Sequence, residues 1–275
     1  VSAAAPTPPR ATPAPLPRRA EIVGIPLAIC DYDEVVAWME GVIEAGGRAS
    51  VTAAAVNLVM SAREDAAVLA AVLDATLAVP DGMPLVWALR ALGHAGASRI
   101  YGPDLMLAFL ARAAERAIPV YLYGGRTEEA LAQLRASLLA RFPGLVVAGA
   151  QSPPFRALTA AEEQAVIEDI EGSGAKVVWV GTGQPKQEMW MHRMRPQLRA
   201  PMLVGVGAAF DFHAGLVPQA PRWMQRAGLE WLYRLRREPR RLWRRYARYN
   251  PWFVAAFARQ YVRERVRGAA TLGAE

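Results

Sequence analysis

The chain of 275 residues has a single cysteine, Cys30, so no intramolecular disulfide can form and a reducing compartment suits it. Cys30 precedes every glycine turn and reads as a structural thiol, not a nucleophile. Histidine is equally scarce: His94, His192 and His213 are scattered without metal-ligand spacing, which argues against a zinc site. Asp31 and Asp33 have the letters of an Asp-x-Asp motif, but they stand just before the first expected helix, where aspartate serves as a cap. Neither a metal nor any other cofactor is expected. Long apolar runs are missing too, because the Ala/Val/Leu-rich segment 66–80 is broken by Asp74 and closed by Pro80; no bilayer span is expected. The nucleotide fingerprints are also absent. GTGQPK (181–186) is not a Walker A loop, and GVGAAF (205–210) places Phe210 where a dinucleotide fingerprint needs its third small residue. Nicotinamide and ATP chemistry lose ground, while nucleotide binding as such survives.

With 53% hydrophobic and 21% charged residues, the chain is long enough to bury a full core. Residues 1–20, Pro/Ala-rich and without the apolar centre of a signal peptide, read as a disordered tail. From there strand and helix patterns alternate. Strands are expected at 22–29 (a short edge strand), 51–55, 77–79, 120–123, 146–148, 177–180 and 202–206. Helices are expected at 32–44, 56–61, 65–73, 84–92, 103–117, 127–142 and 159–171. The pattern predicts an α/β, Rossmann-like fold over 21–221, a mostly parallel sheet with helices on both faces, plus a C-terminal helical basic appendage over 222–275. Ligands of such sheets sit at the carboxyl ends of strands, which nominates Thr52 onward, Pro80-Asp81-Gly82, Gly124-Gly125, the 181–187 turn and 207–215.

The 181–187 turn is the most informative stretch. The apolar run Val177-Val178-Trp179-Val180 opens into Gly181 and Gly183, which allow backbone N–H groups close to a ligand; Pro185 then suits the first turn of a helix through Gln187 and Glu188. A helix start of this kind favours an anion, and phosphate is the natural guess; a plain strand-to-helix connection with polar caps reads the string equally well.

The formal charge of +7 is unevenly spread. From Arg222 onward fourteen arginines face four glutamates, a local net of +10, so the first 221 residues together carry −3. The same segment holds four of the eight tryptophans and four of the eight tyrosines. On a helix from Arg240, Leu242, Tyr246, Tyr249 and Phe253 form one stripe, and Arg237, Arg241, Arg244, Arg245 and Arg248 gather on the other side; Pro239 and Pro251 are expected to break the helix into pieces. Such a segment suits an anionic membrane surface, rings at headgroup level and arginines on lipid phosphates. A nucleic-acid groove uses the same ingredients.

Six strings, VPDGMPLVWALR, SRIYGPDLM, YLYGG, WVGTGQPKQEMWM, GVGAAFDFHAGLVPQAPRW and GLEWLYRLRREPRRLWRRY, occur in an order and spacing that resemble the WecG/TagA/CpsF glycosyltransferase family over residues 22–253. The resemblance implies an inverting, metal-independent transfer of a sugar, N-acetylmannosamine, glucose or a relative, from a UDP-sugar to a polyprenyl-diphosphate-linked saccharide. It implies a cytoplasmic enzyme peripherally associated with the inner face of the membrane, with no nucleic acid as partner and a homo-oligomer as one state. The family's catalytic base falls on Asp81, where a carboxylate would take the acceptor's hydroxyl proton; the structural alternative is a cap on the helix near Pro84. Donor contacts fall on Thr52, Arg99, Gly124, Gly181, Gly183, Gln184, Gln187 and Asp211, with Lys186 as a polar neighbour; Thr52 alternatively caps a helix, Arg99 alternatively forms a surface salt bridge, and Asp211 alternatively holds its loop. Many relatives carry asparagine two positions after that threonine where this chain has Ala54, which leaves the donor sugar open. Without a metal, a departing UDP needs protein cations, and Arg234, Arg241 and Arg244 are the expected contacts to diphosphate or membrane. The rival readings are a non-catalytic membrane or nucleic-acid binding module, and a nucleotide-sugar hydrolase or epimerase.

Overall fold

The computed structural model describes residues 15–272, with side chains through 267; most of the expected N-terminal tail, residues 1–14, lies outside the described residues. Its eight strands are β1 (Arg19–Ile22), β2 (Ile25–Ala28), β3 (Ala49–Ala54), β4 (Leu77–Pro80), β5 (Val120–Gly124), β6 (Val147–Gln151), β7 (Val177–Gly181) and β8 (Met202–Gly205). They form one sheet in the order β1-β2-β4-β3-β8-β7-β5-β6, parallel throughout except for the β1–β2 pair.

The helices are α1 (Tyr32–Glu44), α2 (Val56–Glu64), α3 (Ala66–Asp74), α4 (Met83–Ala91), α5 (Gly102–Glu115), α6 (Glu128–Arg141), α7 (Ala160–Ser173), α8 (Lys186–Met194), α9 (Ala209–His213), α10 (Arg222–Arg226), α11 (Glu230–Arg237) and α12 (Pro239–Leu272). Strand side chains alternate between the sheet's two faces. Val51, Ala53, Val177, Trp179, Met202 and Val204 enter a core shared with α1, α5 and α6. Ala54 and Ala78 face a second core under α2, α3 and α4, and Val178, Val180 and Leu203 a third under α7 and α8. Burial on both faces explains why these strands read as apolar runs. Cys30 is buried in the first core, and that burial pushes its thiol up to about 12, as befits a structural thiol. Asp31 caps α1, accepting from the Glu34 amide at 2.9 Å while Glu34 accepts from the Asp31 amide at 2.9 Å.

Two sequence expectations need correction. The single edge strand at 22–29 is a hairpin, β1 pairing antiparallel with β2 through Val23 (φ 53°) and Gly24 (φ 88°). A type I′ two-residue hairpin loop needs positive φ at both positions, and a β-branched Val23 there disguises it. Gln260 of α12 holds the strained residue, its Oε1 accepting from the Val23 amide at 2.8 Å and its Nε2 donating to the Glu21 carbonyl at 2.7 Å.

The second correction concerns the appendage. Pro239 does start a new helix, but Pro251 lies inside α12 without breaking it. Packing holds the helix together there: Leu242 and Phe253 are buried, and Phe253 stacks on Phe257 at 6.2 Å. The ring stripe Leu242, Tyr249 and Phe253 therefore faces the protein, not a membrane, and the Tyr249 hydroxyl donates to Glu64 of α2 at 2.7 Å. Arg245 is also turned away from the exposed arginine face and is half-buried.

Candidate active site

The turns at the carboxyl ends of the parallel strands converge on a cleft of about 780 Å³. Ala53 and Ala55 reach it from β3, Asp81 from β4, Gly125 and Arg126 from β5, residues 153–158 from β6, residues 181–184 from β7, and Gly207 and Ala208 from β8. The appendage covers the same cleft with Arg234, Arg241 and Arg245. Positions next to a change of direction in strand order are where open α/β sheets bind ligands, and β3, β8 and β7 meet there.

Asp81 follows Pro80 directly and its amide is fixed to the Ala54 carbonyl at 2.8 Å. It does not cap α4, whose cap position is Gly82 without a side-chain bond. Its Oδ1 instead accepts from the Gly102 amide at 2.8 Å, at the first residue of α5. Burial raises its pKa to about 6, against the lowering effect of Arg99, the Gly102 amide and Arg234; Glu230 adds to the rise. A carboxylate poised there is an effective proton acceptor near neutral pH.

The other residues named from sequence divide into two sets. Gly181, Gly183, Gln184, Lys186 and Asp211 line the cleft. Gln184 is locked beneath it, Nε2 donating to the Ala53 carbonyl at 2.5 Å and Oε1 accepting from Asn57 at 3.2 Å. Asp211 accepts three hydrogen bonds of 2.8–3.1 Å from Arg126. Thr52 and Gln187 are fully buried and serve as braces. Thr52 Oγ1 donates to Glu188 Oε1 at 2.7 Å, Gln187 Nε2 donates to the same oxygen at 2.8 Å, and Gln187 Oε1 accepts from the Gly207 amide at 2.9 Å. Strand alternation directs Thr52 toward α8, away from the cleft. Gly124 (φ 140°) is required by packing: an added Cβ would lie 2.6 Å from the Gly181 backbone.

Arg99 is occupied at both ends. Its Nε donates to the Asp81 carbonyl at 2.5 Å and its Nη2 to Glu230 Oε2 at 2.5 Å, with the guanidinium 4.1 Å over the Tyr101 ring. It braces the Asp81 turn and does not line the cleft. Among the appendage arginines, Arg234 and Arg241 line the cleft and Arg244 does not; Arg244 is exposed beside the Trp243 ring. Arg245 takes that place. Its Nε is buried without a hydrogen-bond partner, and burial, then the charges of Arg234 and Arg241, push its pKa below the ordinary arginine value. Arg241 is paired with Glu238. A group of guanidiniums with so little counter-charge is stabilised by an anion.

Sequence reasoning missed Arg126, Arg245, Tyr101 and Glu230 as site residues. For Glu230 a signal was present: it is the only acid between Arg222 and Arg237. Arg245 had none, because its spacing placed it among the solvent-facing arginines.

Residues 20–267 match the model of the Glycosyl transferase WecG/TagA/CpsF family, and the chain belongs to that family. Its members are glycosyltransferases of cell-surface polysaccharide synthesis, which take a nucleotide-sugar donor and a lipid-linked acceptor. Among the described residues no helix is long and apolar enough to cross a membrane.

Proposed function

We propose that this glycosyltransferase moves a hexosyl group from a UDP-sugar to a polyprenyl-diphosphate-linked saccharide, with inversion and without a metal ion. The observation that carries the reading is a carboxylate with a pKa raised to about 6, Asp81, sharing one cleft with Arg234, Arg241 and Arg245. The acceptor hydroxyl oxygen forms the new bond to the anomeric carbon as the bond to the UDP oxygen breaks. Asp81 takes the hydroxyl proton, and UDP leaves with the bonding electron pair. The arginines offset the charge that gathers on the leaving diphosphate, the role a divalent cation plays elsewhere. The Gly183 turn and Lys186 at the start of α8 supply further positive potential.

Reaction at the cytoplasmic membrane face fits the outer side of α12. There Trp243, Val254, Val262 and Val266 are each at least half exposed, among the exposed arginines 240, 244, 248, 259 and 263. Apolar and cationic residues interleaved on one helix face match a headgroup region.

The test is UDP release by the purified protein over a panel of UDP-sugars, with EDTA present, with and without a short-chain polyprenyl-diphosphate saccharide. Release that requires the lipid acceptor and survives EDTA is expected. Full-rate release without an acceptor would instead identify a hydrolase, and conversion of the UDP-sugar to an isomer without UDP release an epimerase.

A further inference from the structure

Arg99, Tyr101 and Glu230 join the appendage to the turn that carries Asp81. Glu230 opens α11, which enters through Gly228 (φ 69°), where an added Cβ would stand 2.6 Å from the Trp87 ring. The chain is pressed onto α4 at that glycine. One oxygen of Glu230 accepts from Arg99 at 2.5 Å and the other from the Tyr101 hydroxyl at 2.9 Å. Both side chains of the Arg99–Glu230 pair are mostly withdrawn from water, at 15% and 13% exposure, so this is not a screened surface pair.

The two groups it grips are those that hold Asp81. Arg99 binds the Asp81 carbonyl, and Tyr101 precedes Gly102, whose amide binds the Asp81 carboxylate; the Tyr101 amide is itself held by the Tyr32 hydroxyl at 2.8 Å. We infer that Glu230 is a positioning residue of the transfer reaction, fixing the Asp81 carboxylate through Arg99 and Tyr101 and so making the geometry of the base depend on the seating of α11. The inference rests on the reading of Asp81 as the base.

The charges facing Asp81 come from several elements. Arg99 lies on the loop before α5, Glu230 and Arg234 on α11, and the phenols of Tyr32 on α1 and Tyr101 before α5 are held neutral by burial. Asp104 of α5 faces Tyr32. Of these groups Glu230 is the one whose negative charge raises the Asp81 pKa. Losing a residue that only fastened α11 would withdraw Arg234, whose charge lowers the Asp81 pKa, and so would not move the acid limb to lower pH.

The experiment compares Glu230→Gln, Glu230→Asp and Asp81→Asn in full-length protein, by pH–rate profile, donor KM and UDP titration calorimetry. Glu230→Gln is expected to lower kcat by roughly ten- to hundredfold, the scale of a misplaced reacting group, with UDP affinity retained. Its acid limb is expected to move to lower pH. Glu230→Asp keeps the charge but loses the reach to both partners, so kcat falls and the acid limb stays. Wild-type kcat with an unmoved limb in Glu230→Gln overturns the inference. If Asp81→Asn is inactive in that case, the base reading stands and the Glu230 role alone is lost; wild-type turnover in Asp81→Asn takes both down. Should Glu230→Gln fail to fold, Tyr101→Phe cuts one of its two ties: a several-fold drop in kcat at unchanged UDP affinity supports the inference, and unchanged kcat overturns it.

Discussion

The α/β body and the C-terminal appendage border the same cleft, yet they are held in place by different forces. The turns that carry Asp81, Gly183 and Gly207 end strands that are almost entirely buried, and Thr52, Gln187, Glu188 and Gln184 brace them from below. In the appendage, α10 and α11 bury no residue at all. Its attachment uses polar ties, Glu230 on Arg99, Arg248 and Tyr249 on Glu64 and Gln260 on the β1–β2 hairpin, together with the apolar contacts of Leu242 and Phe253. In the proposed reaction the base would come from a strand-end turn of the sheet and the cations facing the leaving group from the appendage, whose α10 and α11 bury no residue. That division suits the proposed reaction, in which a lipid-linked substrate enters before charge closes around the diphosphate.

Substitution at the rigid side gives the largest expected effect. Asp81→Asn should lower kcat at least about a hundredfold, the scale of losing a general base, while UDP still binds. In the wild type the base is the ionised form, so with a pKa of about 6 the rate should fall as pH drops below that value and level off above it. Stability runs the other way. A folded-state pKa above the ordinary 3.8 means the folded protein binds this proton more tightly, so the contribution is fully present below 3.8 and is lost as pH rises through about 6. Asp81→Asn removes that dependence, so thermal melts of the two proteins should diverge between pH 3.8 and about 6 in favour of the variant and stay a constant distance apart at higher pH. Equal turnover of variant and wild type would remove Asp81 from the mechanism.

The next effect separates two neighbouring arginines. Arg245→Ala should weaken UDP binding by roughly ten- to hundredfold, as expected for a charge-assisted contact of about 1.5–3 kcal/mol. Arg244→Ala should leave UDP affinity near the wild-type value and weaken vesicle binding. The reverse order in calorimetry would return the diphosphate contact to Arg244.

Thr52→Val tests the bracing and is the smallest. It leaves the buried Glu188, whose Oε2 already has no partner, with one hydrogen bond fewer, so a loss of about 1–3 kcal/mol in urea denaturation is expected with UDP affinity unchanged. A tenfold loss of UDP affinity at unchanged stability would place Thr52 at the donor instead.

Alternation of strand and helix patterns, the breaks at Pro80 and Gly181, and the density of arginine after residue 222 were legible because each is a local property of composition and period. The placement of Asp81 at a strand end followed from the same pattern. A hydroxyl near a strand end reads as a ligand contact, and the bond of Thr52 to Glu188 of α8 becomes visible only when the sheet's alternation is counted against that particular neighbour. Val23 hid a hairpin, since its positive φ is sustained by Gln260, 237 residues away. Pro251 was read as a helix break because the loss of one hydrogen bond is local, whereas the burial of Phe253 that outweighs it is not.

The α/β alternation, the strand-end turns and the concentration of positive charge in the appendage are written locally, because periodicity, turn chemistry and charge are carried by neighbours along the chain. Packing in three dimensions set which arginines enter the cleft, that Arg99 is tied to Glu230, and that Thr52 and Gln187 bond to Glu188. Those outcomes depend on which way a side chain faces and how much water it loses, and both are set by residues brought together from distant parts of the chain.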